Sequence, residues 1–299
     1  MKSFRTLLLL AALTALLMGL GMTIGGPRGA ILAFLVAAGM NFFTYWNADK
    51  IVLRMHDAKE VDATTAPLIY GIVQGLARRA NLPMPRVYLV DSPHPNAFAT
   101  GRNPENAAVA ATVGLLRVLD RDEVEAVMAH ELAHVKNRDT LVMTMTATIA
   151  GAVSMLANFG MFFRGDGRGN MLAMLMAVIV APFAAMIVQL AISRTREYGA
   201  DRGGAEICRN PRALASALGK LHRAAARIPN AVAERNPAAA SLYIVPGLTR
   251  GFFSTHPPTE DRIAALEALA GELGLHSPPP RARNPAPRSS ALNPLGRRS

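Results

Sequence analysis

The chain has 299 residues, 51% of them hydrophobic and 18% charged, and this composition excludes a disordered protein and indicates contact with lipid. Its formal net charge is +11, but the arginines stand beside long apolar runs. Anionic lipid headgroups are therefore the expected counter-charge, and nucleic acid is not an expected partner. The single cysteine, Cys208, excludes an intrachain disulfide and a multi-cysteine metal site.

Four apolar stretches without charged residues organise the chain. Residues 6–24 and 30–46 form a first pair, and residues 141–163 and 171–193 form a second pair. The last two contain 23 residues each, which is enough to cross about 30 Å of hydrocarbon as helices. The first stretch resembles a signal peptide but lacks a convincing cleavage site, so we interpret it as a retained anchor. The shorter second stretch fits either a full span or a re-entrant segment.

Basic residues flank these four stretches on one predicted side of the membrane. They are Lys2, Arg5, Lys50, Arg54, Lys136, Arg138, Arg194 and Arg196. Because cytoplasmic flanks carry an excess of lysine and arginine, we expect a multi-pass protein with these flanks in the cytoplasm. The short connections at 25–29 and 164–170 are then on the opposite side.

The segment before the second apolar pair has the pattern of a small α+β unit. Its periodicity predicts a helix at 67–80, strands at 86–91, 97–100 and 107–113, and a helix that begins at Arg121.

The segment after the second pair is predicted to be helical, with Asn210 and Pro211 at the start of one helix. A proline- and arginine-rich end follows, which is typical of a disordered basic tail. The predicted units are an anchor at 1–47, a first half-domain at 48–140, a helix pair at 141–193, a second half-domain at 194–274 and the tail at 275–299.

The strongest chemical signal is His130-Glu131-Leu132-Ala133-His134. Asp120 and Glu123 upstream give a helix-start signal, so the motif is predicted to lie inside a helix. Positions four apart share one helix face, and both imidazoles can therefore reach one tetrahedral zinc ion. Glu131 then lies beside a bound water and can act as the general base.

A catalytic zinc ion requires a third protein ligand, and Glu197 is the best candidate. Asp201 lies four residues later on the same predicted helix face, where it can accept the N–H of a ligating imidazole. Alternatively, both carboxylates pair with neighbouring arginines at the surface. An even number of predicted crossings separates Glu197 from the histidines, so all three ligands share one membrane side. If the helices continue smoothly, the zinc lies roughly 6 to 10 Å above the bilayer boundary.

Four motifs occur in order along the chain, two before and two after the second apolar pair. They are Asn-Ala-Phe-Ala-Thr-Gly at 96–101, the His130 motif, Arg-Glu-Tyr-Gly-Ala-Asp at 196–201, and Ser-Thr-His-Pro-Pro at 254–258 followed by Arg262 and Ile263. On these motifs the chain resembles the HtpX family of bacterial membrane metalloproteases, which are related to the CAAX prenyl proteases.

The resemblance implies one Zn²⁺ per chain, held by His130, His134 and Glu197, with Glu131 as the catalytic residue. It implies a mainly α membrane protein with about four transmembrane helices and a zincin-like (gluzincin) α+β protease domain split by the second helix pair. It also implies a bacterial inner-membrane location, a site that faces the cytoplasm, and polypeptide substrates. Those substrates are damaged or misassembled membrane proteins, which points to quality control and a stress response.

Three further features allow alternative interpretations. A strand made of Asn96, Ala97, Phe98, Ala99 and Thr100 either pairs with an extended substrate or is an ordinary core strand. His256 either donates a hydrogen bond to the developing oxyanion or has a structural role. The segment 228–240 fits a lid or a surface loop equally well.

The function predicted from these residues is metal-assisted peptide hydrolysis by a zinc metalloendopeptidase. The alternative is a membrane adaptor without proteolytic activity, in which the metal site is structural. A structural zinc site is usually closed by four protein ligands, and the sequence offers three, which favours the enzyme. The sequence carries no signal for an oligomeric state.

Overall fold

The computed structural model describes residues 2–144, 194–228, 243–244 and 257–274. In chain order these contain α1 (Lys2–Met55), β1 (Lys59–Val61), α2 (Pro67–Ala80), β2 (Arg86–Val90), β3 (Ala97–Thr100), a 3₁₀ turn (Pro104–Asn106), β4 (Ala108–Thr112), α3 (Val113–Val118), α4 (Arg121–Lys136), α5 (Arg194–Cys208), α6 (Pro211–Ala225) and α7 (Thr259–Glu272). The fold is mostly helical with one small sheet, as predicted. The predicted helix pair beyond residue 144, most of the segment 228–240, His256 and the tail lie outside the described residues.

Helix α1 consists of two helices that meet at Gly25 and Gly26. Gly26 has φ 62° and ψ −151°, a backbone conformation that glycine adopts without the steric cost of a side chain. Pro27 follows, and proline is well suited to the first turn of a new helix. The side-chain amide of Asn41 donates to Thr14 Oγ1 at 3.1 Å across 27 residues of chain. The second helix therefore folds back along the first, and the predicted break at 25–29 is confirmed.

One helix among the described residues, Gly25–Asn47, is long and apolar enough to cross a membrane. Its exposed large apolar side chains include Ile31, Leu32, Phe34, Leu35, Phe42 and Phe43. An apolar surface of this extent is rare on a soluble monomer and typical of contact with lipid or a partner. The length and composition of this helix are sufficient for a full span. The other three predicted spans remain predictions.

The sheet has the strand order β1-β2-β4-β3, with β2 and β4 parallel and the two outer pairs antiparallel. The three strands predicted from the sequence are confirmed to within one residue at each end. Strand β1 and helix α3 were not predicted, because three and six residues respectively are too short to show a clear period.

The sheet buries both faces, and strand β3 shows the alternation. Ala97 and Ala99 belong to the large core formed with helices α2, α4, α5 and α6. Phe98 points the other way, into a second cluster with Val52 near the end of α1 and with Tyr243. Because β3 is the last strand in the order, its outer edge is not paired with another described strand, and β3 lies against helix α4. The sheet thus fixes the position of α4.

Helix α4 begins with a complete capping box. Asp120 accepts from the Glu123 amide and Glu123 accepts from the Asp120 amide, as the sequence predicts. The helix ends at Lys136, and Arg138 has a left-handed φ of 57°. A new helical segment starts at Thr140. Helix α4 therefore does not continue smoothly into the apolar stretch, because the left-handed residue changes the chain direction. The height of roughly 6 to 10 Å, which is conditional on smooth continuation, does not hold.

Candidate metal centre

Helices α4 and α5 bring two imidazoles and one carboxylate together in the core. His130 and His134 lie one turn apart on α4 with ring centroids 4.8 Å apart, and Glu197 comes from the first turn of α5. Glu197 Oε2 lies 3.8 Å from His130 Nε2, and its Oε1 lies 3.6 Å from His134 Nε2. Candidate ligand atoms of the three side chains all lie within 4.8 Å of one another.

These three side chains fit a small tetrahedral metal ion. Zinc with bonds of about 2 Å holds its ligand atoms roughly 3.3 Å apart. The separations of 3.6 and 3.8 Å are slightly longer than that value. All three residues are at most 4% exposed, and a buried carboxylate between two imidazoles is well suited to a divalent cation. The metal site predicted from the sequence is thus geometrically feasible.

Each histidine turns its second ring nitrogen towards an aspartate. His130 Nδ1 lies 3.0 Å from Asp201 Oδ1, and His134 Nδ1 lies 3.5 Å from Asp139 Oδ2. Such carboxylates fix the tautomer and leave Nε2 available for a metal. Asp201 occupies the position expected from the sequence. Asp139 was not predicted, because it lies in the turn after α4 and shares no helix face with His134.

Arg262 on α7 contacts both Asp201 and Glu197 of α5. Its Nε and Nη2 donate to both oxygens of Asp201 at 2.8 and 2.7 Å, and its Nη1 donates to the carbonyl oxygen of Ile244 at 2.8 Å. Nη1 also lies 3.3 Å from Glu197 Oε2. The arginine is 2% exposed. A buried, two-pronged ion pair of this kind holds Asp201, and through it His130, in one orientation.

Arg262 had no role in the sequence-based prediction beyond its place in a motif. A buried arginine is rare unless it is paired, but the sequence does not reveal which carboxylate it meets. Asp201 lies 61 residues away in the chain. The contact depends on how α7 packs against α5, and that is a property of the folded protein.

Glu131 lies between the two histidines in sequence and is 2% exposed. The backbone amide of Ala99 on β3 acts on its carboxylate and lowers its pKa. In the register of β3 with β4, the Thr112 amide donates to the Asn96 carbonyl oxygen, so the N–H groups of Ala97 and Ala99 point to the outer edge of the sheet. The outer edge of β3 therefore lies next to Glu131.

Three side chains of the centre, Glu131, His134 and Asp201, have shifted pKa values. Burial raises the pKa of Glu131 above its usual range, although the neighbouring histidines act in the opposite direction. Burial also raises the pKa of Asp201, but the Arg262 guanidinium outweighs it and holds that pKa well below the usual value. For His134, burial lowers the pKa, but the Asp139 hydrogen bond and the nearby carboxylates together raise it. Asp201 is thus an ionised partner for His130 near neutral pH.

The helix that carries Glu197 approaches the histidine helix very closely at Gly204. A Cβ atom at this position would lie 2.8 Å from the backbone N and Cα of His130. Backbone atoms cannot move aside as a flexible side chain can, so Gly204→Ala must push α5 away from α4. We expect it to lower the free energy of unfolding by about 1–3 kcal/mol and to weaken metal binding, measured by chemical denaturation and by competition with a chelator.

Gly199→Ala is the matched control for Gly204→Ala. Gly199 lies on the same helix and is exposed, and a Cβ atom added there would have no described atom within 4 Å. Alanine is favoured over glycine in a helix by about 0.5–1 kcal/mol, so this variant should be as stable as the wild type or slightly more stable. Equal destabilisation by both substitutions would show that the close approach at Gly204 is unimportant.

Three ligand-type side chains on two helices, with a glutamate beside the first histidine, define the kind of centre found in metallopeptidases. Comparison with known proteins agrees: the model of peptidase family M48 matches residues 63–270, more than half of the chain. The chain belongs to peptidase family M48, a family of metal-dependent peptidases, and the resemblance to the HtpX family is confirmed at this level.

The structure is also similar to the crystal structure of Ste24p from S. mikatae. The sequences are 17% identical, the TM-score is 0.48, and the match covers 89% of this chain and 65% of the Ste24p chain. This chain thus spans less than two thirds of the length of that protein.

Proposed function

We propose that the chain is a membrane-bound, zinc-dependent endopeptidase. The observation that carries this proposal is the buried cluster of His130, His134 and Glu197, whose ligand atoms lie within 4.8 Å of one another, with Glu131 adjacent. In this proposal the three clustered residues hold one Zn²⁺ per chain. Among the described residues no fourth protein ligand joins the cluster, which leaves a position for water and substrate, as catalysis requires.

The proposed reaction is hydrolysis of a peptide bond by water. Bound zinc would lower the pKa of the attacking water and polarise the scissile carbonyl. Glu131 takes a proton from the water and delivers it to the leaving amine, so no covalent intermediate with the protein is needed. Its position next to the histidine pair and its burial suit this role, since a raised pKa makes a carboxylate a better proton acceptor and donor near neutral pH.

Substrate binding is proposed along the outer edge of β3. An extended peptide can add to such an edge through main-chain hydrogen bonds. Along the edge of residues 96–100 the backbone groups of Ala97 and Ala99 are directed outward, and the Ala99 amide lies on the side of Glu131. A peptide bound there would pass the base and the metal centre. His256 is proposed to donate to the oxyanion, a role that rests on the sequence alone.

The proposed location is a bacterial inner membrane, with the site facing the cytoplasm. The apolar exposed helix Gly25–Asn47 supports membrane insertion, and the basic flanks of the apolar stretches support the orientation. Membrane proteins that are damaged or misassembled are the proposed substrates, which would give the enzyme a role in quality control. That substrate class rests on the resemblance to the HtpX family.

Metal removal tests the proposal. The full chain, purified in detergent, should contain one zinc per chain and cleave fluorescently labelled, unfolded casein. We expect 1,10-phenanthroline to lower the cleavage rate at least about 100-fold, because both water activation and carbonyl polarisation are lost. Adding back stoichiometric Zn²⁺ should restore the rate. Zinc content by elemental analysis and casein cleavage are measured on the same sample.

Two histidine variants test whether the clustered histidines are the metal ligands. His134→Ala should lose most of the zinc and the cleavage, whereas His222→Ala on α6, which lies outside the cluster, should keep both. Cleavage that is unaffected by the chelator would contradict the proposal. A protein that binds zinc but cleaves nothing would instead indicate the structural site of a non-proteolytic adaptor.

A further inference from the structure

A cavity lies where the end of helix Gly25–Asn47 meets the α+β unit. Its volume is about 570 Å³. The side chains that matter here are Trp46, Lys50, Met84, Arg86, Arg102 and Glu105. The lining shares no residue with the candidate metal centre, so this cavity is a separate feature of the molecule.

The depth of the cavity relative to a membrane follows from helix geometry. Trp46 lies in the last turn of the candidate span, and α1 continues without a break to Met55. Lys50 is four residues further on, about 6 Å along the helix axis. Each headgroup layer of a bilayer is roughly 5–8 Å thick. If Gly25–Asn47 spans the membrane, the cavity opens at the level of the lipid phosphates.

The two arginines of the cavity have different partners. Arg86 pairs with Asp49 at 2.6 Å, which neutralises its charge. Arg102 stacks on Trp46, with its Cζ 4.4 Å from the ring centroid, and donates one hydrogen bond to Asn106 at 3.0 Å. A guanidinium has five N–H donors in a planar fork that matches two phosphate oxygens. Stacking on the indole holds this fork in place.

Lys50 adds a second, exposed cation on the α1 side of the same cavity. With the Arg86 and Asp49 charges cancelled, Lys50, Arg102 and Glu105 leave a net charge of one positive unit. One phosphodiester carries one negative charge. We infer that the cavity binds the headgroup of an anionic phospholipid, whose phosphate contacts Arg102 and Lys50 while Trp46 lies at the boundary with the acyl chains.

This inference rests on the membrane insertion proposed above and is independent of the peptidase chemistry. It gives two of the basic residues behind the +11 net charge, Lys50 and Arg102, a specific role in binding lipid phosphate. It also predicts that the α+β unit is held at a fixed height and tilt on the bilayer surface, because the cavity joins residues of α1 to residues that flank β2 and β4.

Trp46 provides a direct readout, because it is the one tryptophan of the chain. The full chain is reconstituted in phosphatidylcholine vesicles that contain increasing fractions of phosphatidylglycerol, and the midpoint of the change in tryptophan emission is measured. We expect a saturable change for the wild type. Lys50→Gln and Arg102→Gln should each raise the midpoint about fivefold, and the double variant roughly thirtyfold.

Two variants distinguish specific phosphate binding in the cavity from general electrostatic attraction of the protein surface to the membrane. Arg54→Gln removes the same charge from the same helix, but Arg54 does not line the cavity and lies about 12 Å beyond Trp46 along the axis. It should shift the midpoint less than about twofold, because surface attraction falls off over that distance. Arg102→Lys keeps the charge but loses the planar fork and the stacking, and it should raise the midpoint about threefold or more.

Each alternative outcome has a distinct signature. Equal shifts for the Arg54 and Arg102 variants would overturn the site in favour of general surface charge. An equal emission change with inorganic phosphate in vesicles of phosphatidylcholine alone would assign the cavity to free phosphate and overturn the lipid assignment. Failure of the wild type to co-float with vesicles would overturn the membrane insertion and with it this site. Casein cleavage by the same preparations reports on the peptidase proposal separately.

Discussion

Glu131→Gln is expected to lower kcat for peptide hydrolysis by about 10²–10⁴-fold, the usual contribution of a general base. Glutamine has the same shape as glutamate, and its side-chain NH₂ group cannot accept the proton of the attacking water. Because Glu131 is buried, a solvent-exposed carboxylate cannot replace it as the base. Zinc content should stay at the wild-type level, because the proposed ligands are His130, His134 and Glu197.

The measurement is steady-state cleavage of labelled casein together with zinc content on the same purified protein. Glu125→Gln is the matched control, since Glu125 lies six residues earlier on the same helix and forms a partly exposed ion pair with Arg79. That variant should cleave at the wild-type rate. A Glu131→Gln protein that retains full activity would remove Glu131 from the mechanism, and one that loses its zinc would make Glu131 part of the metal site instead.

The parts of the molecule that the sequence predicts correctly are those set by local chemistry. The capping box at Asp120 and Glu123, the start of α2 at Pro67, and the i, i+4 spacing of His130 and His134 all involve residues within a few positions of one another. Backbone geometry alone brings such residues together. The two histidines and the glutamate of the candidate site can therefore be assigned to one helix from the sequence alone.

The surroundings of the site depend on a change of chain direction after α4 and on a contact between distant segments. The chain turn at Arg138 brings Asp139 to His134, and the packing of α7 brings Arg262 to Asp201. Neither pairing leaves a periodic pattern in the sequence. Glu197 and Asp201 are predictable because a catalytic metal needs a third ligand and a partner for its histidine. These two residues are thus predicted from what a catalytic metal site needs and not from their position in the sequence. No such need points to Arg262, so the sequence does not reveal its role.

Arg262→Met is expected to lower the free energy of unfolding more than Gly204→Ala does. It removes the cation from a buried ion pair and leaves the Asp201 carboxylate, which is 2% exposed, without its main counter-charge. Breaking a buried pair in this way costs about 3–5 kcal/mol. Chemical denaturation in detergent, followed by circular dichroism with the metal removed by chelator, measures this loss apart from any change in zinc binding.

Arg212→Met is the control for the removal of an arginine as such. Arg212 pairs with Glu267 at 3.4 Å, and both side chains are about half exposed. Exposed pairs of this kind contribute about 0–1 kcal/mol, because water screens them and two long side chains must be ordered. The difference between the two variants isolates the effect of burial. Similar losses for both would mean that Arg262 acts through its size and not through its charge.

Combining Arg262→Met with Asp201→Asn tests whether the unpaired charge is the cause. The double variant has no buried carboxylate at this position, so it should recover at least half of the stability lost by Arg262→Met alone. Its zinc affinity should still be about 10–100-fold below that of the wild type, because His130 has lost the ionised partner that orients its ring. Recovery of stability without recovery of zinc affinity would separate the two roles of Arg262. Recovery of both stability and zinc affinity would show that His130 does not need Asp201. Arg262 would then serve only to neutralise the Asp201 carboxylate.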